Sequence, residues 1–220
     1  MHLRHLALIN FRNYAKQELD LAPGPILLLG ENAQGKTNLL EAVFLLATGR
    51  SERAGTDADY IAWSTRDDVQ PYARIAGQAQ RGAADVSVEV AVIGRPGAKG
   101  LVASKRFKLN GVPKRASDVV GAITAVLFTT DDMELVKGAP SGRRRYLDVM
   151  LSQVDHHYLR ALQRYTKVIT QRNALLKRIQ DGAARPAELA YWDEESSRDG
   201  AAILTTRAAA VAQLAGDAAA

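Results

Sequence analysis

The chain of 220 residues contains no cysteine. This absence excludes a disulfide framework, a thiolate metal site and a cysteine nucleophile. Long hydrophobic runs are also lacking, because a stretch such as residues 39–48 is far shorter than the ~20 apolar residues that cross a bilayer. The first residues have no signal-peptide pattern. We therefore expect a cytoplasmic protein that neither spans a membrane nor is exported.

The composition is that of an ordinary globular protein. Hydrophobic residues make up 47% of the chain and charged residues 24%, which excludes disorder, collagen and a fibrous coiled coil for the chain as a whole. The length suffices for one large domain or two small ones.

The net charge of +5 is unevenly distributed along the chain. Residues 141–180 contain nine basic residues and two acidic ones. Residues 99–115 contain no acidic residue and six basic ones, which are Lys99, Lys105, Arg106, Lys108, Lys114 and Arg115. Such stretches predict binding to a polyanion such as DNA, because neutralised phosphates release counterions. Solvated charges on helices and hairpins explain the same pattern, and charge alone does not separate the two interpretations.

The pattern before residue 139 predicts strands around one helix. An apolar run at residues 26–29, bounded by proline and glycine, predicts a buried central strand. Helical periodicity follows at residues 37–48, and a further apolar run lies at residues 125–128. Asn110 and Gly111 predict a type I′ hairpin turn. In the polar stretch 50–70, the expected packing anchors are Tyr60, Ile61 and Trp63.

After residue 139 the pattern becomes helical. Apolar residues recur at three- and four-residue steps from Leu147 to Ile179, which predicts a helical stretch of about 40 residues with an interruption near Arg172. A break at residues 181–186 and an alanine-rich stretch after it predict a second, antiparallel helix. We therefore expect two domains, residues 1–139 with the sheet and residues 140–220 as a helical arm that is interrupted at its C-terminus.

A phosphate-binding loop is the most specific motif in the chain. Residues 30–37 match G-x-x-x-x-G-K-[ST] between a predicted strand and a predicted helix, which is the context that the motif requires. Its members are Gly30, Glu31, Asn32, Ala33, Gln34, Gly35, Lys36 and Thr37. The glycines let backbone N–H groups reach phosphate oxygens, Lys36 neutralises the β- and γ-phosphates, and Thr37 is the expected metal ligand.

The expected ligand of this loop is ATP with Mg²⁺. No Asn-Lys-x-Asp motif for guanine occurs in the chain. Hydrolysis also requires an apolar strand that ends in a metal-binding Asp. The one segment that resembles this motif is the apolar run 125–128, but two polar residues separate it from Asp131. We therefore assign no catalytic residue and expect weak or no hydrolysis by this chain alone.

Three segments carry a family resemblance. They are residues 10–14 (NFRNY), 30–42 (GENAQGKTNLLEA) and 132–148 (DMELVKGAPSGRRRYLD). Together with residues 171–176 (QRNALL), they resemble the bacterial RecF family of recombination mediators. The similarity runs in order from residue 2 to about residue 195. Thr130 is one departure, because the family usually has proline before the acidic pair.

The resemblance implies an α/β fold, namely the P-loop lobe of an ABC-type ATPase head with a mixed sheet around the P-loop helix, followed by an all-helical arm. It also implies that these 220 residues are an N-terminal portion, which does not include the C-terminal lobe with the Walker B and signature motifs. Arg12 and Asn13 are implied to lie by the nucleotide, and a surface ion pair is the other interpretation of Arg12. The implied partners are double-stranded DNA, its junctions with single strands, RecO, RecR and indirectly RecA, and the implied assembly is an ATP-dependent homodimer.

Six basic residues are the candidate DNA contacts: Lys105, Arg106, Lys108, Arg143, Arg144 and Arg145. The three consecutive arginines follow Pro140 at a predicted helix start, where cations oppose the helix dipole, so a phosphate or an acidic partner would stabilise them. Two other functions stay open. One is a different P-loop NTPase or a kinase of a small substrate, and the other is a non-enzymatic partner-binding module with a vestigial loop.

Overall fold

The computed structural model describes residues 1–51, 53–98 and 100–219. Lys99, a member of the second basic stretch, lies outside these ranges. The chain forms two compact units, an N-terminal unit, Met1–Thr129, and a helical unit, Thr130–Ala220. Within the described ranges, no helix combines the length and apolar character that a bilayer crossing needs.

Six strands form one sheet in the N-terminal unit. They are β1 (His2–Phe11), β2 (Tyr14–Asp20), β3 (Tyr72–Arg81), β4 (Ala84–Gly97), β5 (Gly100–Leu109) and β6 (Val112–Lys114). The spatial order is β2-β1-β3-β4-β5-β6, and each neighbouring pair is antiparallel. Alternate residues point to opposite faces of a strand, so one face of the sheet carries the core.

Helix α1 (Lys36–Thr48) supplies the other side of that core. It begins after Gly35 and ends at Gly49, whose N–H donates to the carbonyl of Leu45 at 2.8 Å. Gly49 has a φ of 72°, a left-handed conformation that glycine adopts at no steric cost. The helix predicted for residues 37–48 is therefore confirmed. The fully buried core side chains of the unit include Leu6, Leu8, Leu45, Leu46, Ile75, Val90 and Val92.

The hairpin between β5 and β6 turns at Asn110 and Gly111, as predicted. Their φ angles are 50° and 77°, and Leu109 pairs with Val112 across the turn. Two consecutive positive φ values are the mark of a type I′ turn, which matches the twist of the flanking strands. A short helix α2 (Ala116–Val119) follows.

The strand predicted at residues 26–29 does not form, and the apolar run at residues 125–128 forms no strand either. Their apolar side chains are exposed instead, with 79% of Leu27, 81% of Leu29 and 79% of Phe128 accessible. An apolar run indicates a tendency to be buried, but a strand also needs a neighbour to complete its hydrogen bonds. In the described chain the sheet is built from other strands, so the prediction of a buried central strand at residues 26–29 is wrong.

The helical unit contains α3 (Glu134–Lys137), α4 (Pro140–Val154), α5 (His156–Gln180) and α6 (Leu189–Ala219). The long apolar stripe predicted as one helix interrupted near Arg172 is instead two helices, α4 and α5. The break lies at Asp155, whose Oδ1 accepts the backbone N–H groups of His157 at 2.8 Å and Tyr158 at 3.1 Å. A side chain that satisfies two N–H groups of a first helical turn begins a new helix.

Asp155→Ala is therefore expected to destabilise the helical unit by about 1 kcal/mol, the usual cost of losing an N-cap. Urea unfolding followed by Trp192 fluorescence in a Trp63→Phe background measures this unit separately. Asp181→Ala at the other end of α5 is the matched control, because an acidic group at a helix C-terminus gains nothing from the dipole. Equal stability of the Asp155 and Asp181 variants would contradict the capping role.

Helices α5 and α6 are antiparallel, as the sequence predicted. Arg164 forms an ion pair with the buried Asp199 at 2.7 Å, and further along Arg172 pairs with Asp193 at 2.7 Å. As residue numbers rise on α5 they fall on α6, which defines the direction. Near the start of α5, Tyr158 donates to Asp148. Burial, followed by this hydrogen bond, raises the pKa of Tyr158 to about 12.

Candidate functional site

The phosphate-binding loop lies directly before α1 in the N-terminal unit. Three of its residues have positive φ angles, 145° at Gly30, 65° at Ala33 and 102° at Gly35. Residues 30–34 are exposed and Gly35 is buried. The backbone N–H groups of Asn38 and Leu39 donate to the carbonyl of Gly35 at 2.8 and 3.1 Å, and the N–H groups of Lys36 and Thr37 precede them at the N-terminus of α1.

Lys36 holds the two ends of this loop together. Its Nζ donates to the carbonyl oxygens of Gly30 and Glu31, each at 2.6 Å. These two contacts place the ammonium group inside the curve of the loop rather than in bulk solvent. A positive charge in this position faces any anion that the loop N–H groups bind.

Asn13, in the turn between β1 and β2, supports the loop from behind. Its Nδ2 donates to the carbonyl of Gln34 at 3.2 Å, and its Oδ1 accepts from Asn38 Nδ2 at 2.8 Å. A Cβ on Gly35 would lie 2.6 and 2.7 Å from the amide atoms of Asn13 and 2.8 Å from the hydroxyl of Tyr14. The space beside Asn13 therefore admits only glycine at position 35.

Arg12 forms an ion pair, but its partner is buried rather than at the surface. Its Nε and Nη2 donate to the two carboxylate oxygens of Glu41 at 3.0 and 2.6 Å. Only 1% of the Glu41 side chain is exposed. Arg12 also has a φ of 54°, and its backbone N–H donates to the carbonyl of Tyr60 at 2.9 Å. The pair and this backbone bond hold Arg12 in a left-handed conformation that non-glycine residues seldom adopt.

Glu41 collects further donors that the sequence did not indicate. Ser51 Oγ donates to Oε1 at 2.7 Å, and Arg53 Nη1 lies 3.3 Å from Oε2. The same Arg53 nitrogen donates to Asn38 at 3.0 Å, which connects this cluster to the Asn13 network. One signal was available: Glu41 stands four residues before the core residue Leu45, where an acid on the apolar face of a helix requires a partner.

Tyr60 lies between two cations beside this cluster. Its ring is buried, and its hydroxyl accepts the N–H of Ser51 at 2.9 Å. The guanidinium of Arg12 lies 5.5 Å and the ammonium of Lys105 5.3 Å from the ring centroid. Burial is the largest cause that raises the pKa of Tyr60, to about 12. Tyr60 therefore stays neutral at physiological pH, and its buried ring packs against the cations of Arg12 and Lys105.

The candidate DNA contacts on β5 lie on different faces of the sheet. Lys105 points to the core side and pairs with Asp57 at 2.8 Å, whereas alternation places Arg106 and Lys108 on the opposite face. Lys108 contacts Glu89 at 2.9 Å. Burial of Glu89 works to raise its pKa, but its hydrogen bonds to Lys108 and Arg74 hold that pKa below the usual value. The three residues are close in sequence, but Lys105 lies on one face of the sheet and Arg106 and Lys108 lie on the other.

The other three candidates lie at the start of α4 in the helical unit, where all are exposed. Arg143 Nη1 donates to the carbonyls of Leu135 at 3.1 Å and Gly138 at 3.2 Å. The carbonyl groups at the C-terminus of α3 carry partial negative charge, and they stabilise the positive charge of Arg143. Arg144 and Arg145 extend from the same turn of α4.

A cavity of 560 Å³ opens beside the Asn13 turn. Its lining residues are Arg12, Asn13, Ala15, Asn38, Arg53, Asp59, Ala62, Trp63, Ser64 and Arg66. The sequence predicted Trp63 as a packing anchor, together with Tyr60 and Ile61. Tyr60 and Ile61 are buried, but 79% of Trp63 is exposed, so that part of the prediction is wrong. The ring therefore lines the cavity and is not part of the core.

Known proteins are similar to this chain in sequence. The AAA domain family matches residues 5–139. The chain is 44% identical over 223 residues to the DNA replication and repair protein RecF of Chloroflexus aggregans, an alignment that covers 97% of this chain and 57% of that protein. This chain thus spans little more than half the length of the curated relative.

Two solved structures are also similar. One, described as the recombination mediator protein RecF–ATPrS in the RecFOR pathway, superposes with a TM-score of 0.85 at 32% identity, over 97% of this chain and 55% of that one. The RecF–ATP structure gives a TM-score of 0.82 at 33% identity, over 96% and 54%. The expected P-loop lobe of an ABC-type ATPase head with a helical arm is confirmed by these similarities, although the neighbouring strands of the described sheet are all antiparallel and not mixed. The chain belongs to the RecF family and carries the P-loop lobe of its ABC-type ATPase head with the helical arm that follows.

Proposed function

We propose that this chain binds ATP with Mg²⁺ at residues 30–37 and functions as the nucleotide-binding part of a RecF-type recombination mediator. The observation that carries the proposal is the position of Lys36, whose ammonium group lies between the carbonyls of Gly30 and Glu31 at the N-terminus of α1. The RecF–ATP relative supports the choice of ligand.

The described residues fit this ligand. Asn13 and Tyr14 leave no room for a side chain at Gly35, so the glycine lets the loop keep the left-handed turn that phosphate-binding loops use to direct backbone N–H groups at an anion. Thr37 is exposed at the start of α1 and would hold Mg²⁺ through its hydroxyl. Among the described residues no cluster of three His, Asp or Glu side chains forms a metal site, which fits an ion held mainly by phosphates and water. Bound Mg²⁺ supplies charge neutralisation between the phosphates.

Arg12 and Asn13 have distinct roles in this proposal. Asn13 fixes the loop through Gln34 and Asn38, and Arg12 lies beside the nucleotide while Glu41 sets its orientation. We assign residues 1–139 to nucleotide binding and residues 140–220 to the helical arm. No described residue is assigned to hydrolysis, so we expect this chain alone to hold ATP with little or no turnover.

We propose further that the complete protein works in the cytoplasm as a homodimer and binds double-stranded DNA near single-strand gaps in an ATP-dependent way. There it assists RecO and RecR in loading RecA. The family and the RecFOR pathway of the relative support this proposal. Arg106, Lys108, Arg143, Arg144 and Arg145 remain the candidate DNA contacts. Lys105 is the weakest of the six candidates, because it points to the core side of the sheet and only 16% of its side chain is exposed.

Calorimetry of ATP with Mg²⁺ present tests the nucleotide site. Lys36→Arg is expected to weaken binding about tenfold or more, because the longer planar guanidinium does not fit the two short contacts to the loop carbonyls. Lys16→Arg, an exposed position on β2, is the matched control and should bind like the parent. Equal ATP affinity of the Lys36 and Lys16 variants would refute the proposed role.

Salt dependence of DNA binding tests the second proposal and separates it from a small-molecule kinase. With ATP present, affinity for duplex DNA should fall steeply with salt. Arg106→Ala should reduce the slope of log K against log[salt] by about 1, the change expected when one side chain no longer neutralises a phosphate. Arg81→Ala, an exposed arginine at the end of β3, is the control. An interaction that is independent of salt, or of ATP, would contradict the proposal.

A further inference from the structure

The exposed aromatic ring of Trp63 lines the cavity. The guanidinium of Arg66 lies 3.7 Å from the centroid of the Trp63 ring. Arg66 is itself held in place, since its Nη2 donates to the carbonyl of Ala58 at 3.2 Å and its Nε to that of Ile61 at 3.4 Å. An anchored cation on one face of the indole fixes its orientation and leaves the rest of the ring open.

The segment that carries Trp63 is joined to the turn that supports the phosphate loop. Ile61 forms a bridge with Phe11, and the N–H of Ala62 donates to the carbonyl of Asn10 at 2.8 Å. Asn13 follows in the same turn and contacts Gln34 of the loop. The backbone therefore sets the indole and the phosphate loop at defined positions relative to each other.

The cavity is lined by the indole and by side chains that contact the phosphate loop. Trp63 and Ser64 line it together with Asn13 and Asn38, the side chains that contact the loop. The lining also contains Arg12 and Arg53, which share the carboxylate of Glu41. Its volume of 560 Å³ lies within the range of small-molecule sites, which combine an apolar surface with a few fixed polar groups.

We propose that the indole of Trp63 is the stacking surface for the base of the nucleotide whose phosphates occupy residues 30–37. This inference rests on the proposed function and extends it from the phosphates to the nucleoside. A base on the open face of the ring would complete a stack of base, indole and guanidinium. Stacking of a base on an aromatic side chain contributes enough free energy to make such a ring a major part of a binding site.

Fluorescence tests the proposal directly, because the chain contains two tryptophans. In a Trp192→Phe variant, Trp63 is the sole tryptophan. Titration with ATP and Mg²⁺ should change its emission in proportion to the binding measured by calorimetry. Inorganic tripolyphosphate, which has the phosphates without the base, should bind without the same change. An emission that ATP leaves unaltered at saturation would overturn the proposal.

Affinity measurements separate this inference from the phosphate site. Trp63→Ala should weaken ATP binding about tenfold and leave tripolyphosphate binding unchanged, whereas Trp63→Phe should retain most of the ATP affinity. Trp192→Ala, in the helical unit, is the matched control for both ligands. Thermal unfolding checks that the variants are folded. We expect them to be, because replacing the exposed side chain of Trp63 removes no core contact.

Each outcome decides between the two proposals. Equal losses for ATP and tripolyphosphate, or no loss for ATP, would overturn the stacking role while the phosphate site stands. If the parent chain binds neither ligand, both proposals fail. Selective loss of ATP binding in Trp63→Ala, with rescue by Trp63→Phe, supports the assignment of the base to this ring.

Discussion

Glu41→Ala is expected to destabilise the N-terminal unit by about 3–5 kcal/mol, the usual cost of removing one partner from a buried ion pair. The carboxylate is 1% exposed and accepts hydrogen bonds from Arg12, Ser51 and Arg53. Alanine removes all of these acceptors at once. Arg12 would then keep its charge in a largely buried position without a partner, which accounts for most of the loss.

Urea unfolding in the Trp192→Phe background measures this effect, because Trp63 then reports on the N-terminal unit. Glu18→Ala on β2 is the matched control, since this exposed glutamate pairs only with Lys16 at 3.3 Å and its loss should cost less than about 0.5 kcal/mol. Glu41→Gln should fall between the two, because an amide keeps one acceptor. A Glu41→Ala variant as stable as Glu18→Ala would show that the buried pair contributes nothing.

Gly35→Ala is expected to cost about 3 kcal/mol and to weaken ATP binding more than tenfold, by two separable mechanisms. The φ of 102° disfavours any side chain. In addition, the new Cβ would lie within 2.8 Å of both Asn13 and Tyr14. To relieve these contacts Asn13 must move, and its hydrogen bond to the carbonyl of Gln34 would be lost with the shape of the loop.

Gly82→Ala separates the two mechanisms. Gly82, in the turn between β3 and β4, also has a positive φ, 62°, but a Cβ there meets no atom within 4 Å. Its replacement should therefore cost only the backbone term of about 1–2 kcal/mol and leave ATP binding intact. Calorimetry and urea unfolding of both variants make the comparison. Equal effects of the two substitutions would show that the close approach of Asn13 to Gly35 is unimportant.

Local signals in the sequence were the ones that predicted structure well. The phosphate loop and its helix lie within 30–48, and the type I′ turn needs only Asn110 and Gly111, so each depends on neighbouring residues. The break before α5 was also available locally, because Asp155 is a good N-cap residue directly before a helical pattern. There the apolar stripe, which continues through the break, concealed the cap.

Partners distant in the sequence were not predictable in the same way. Glu41 lies 29 positions from Arg12, and no spacing rule connects them until β1 and α1 are packed together. The strand predicted at residues 26–29 failed for a related reason, since pairing depends on which other segment is adjacent. Trp63 is a large aromatic residue of the kind that is usually buried in a core. Its contact with Arg66 at the surface is seen only in the folded structure.

The exposed runs at residues 26–29 and 125–128 have a consequence for how this chain behaves in solution. Leu27, Leu29, Val126 and Phe128 offer apolar surface to water in the N-terminal unit. Exposed apolar groups of this size promote association between copies, and extended segments that present them invite strand-to-strand aggregation. These four side chains therefore favour self-association of the chain, against which a net charge of +5 supplies only modest mutual repulsion.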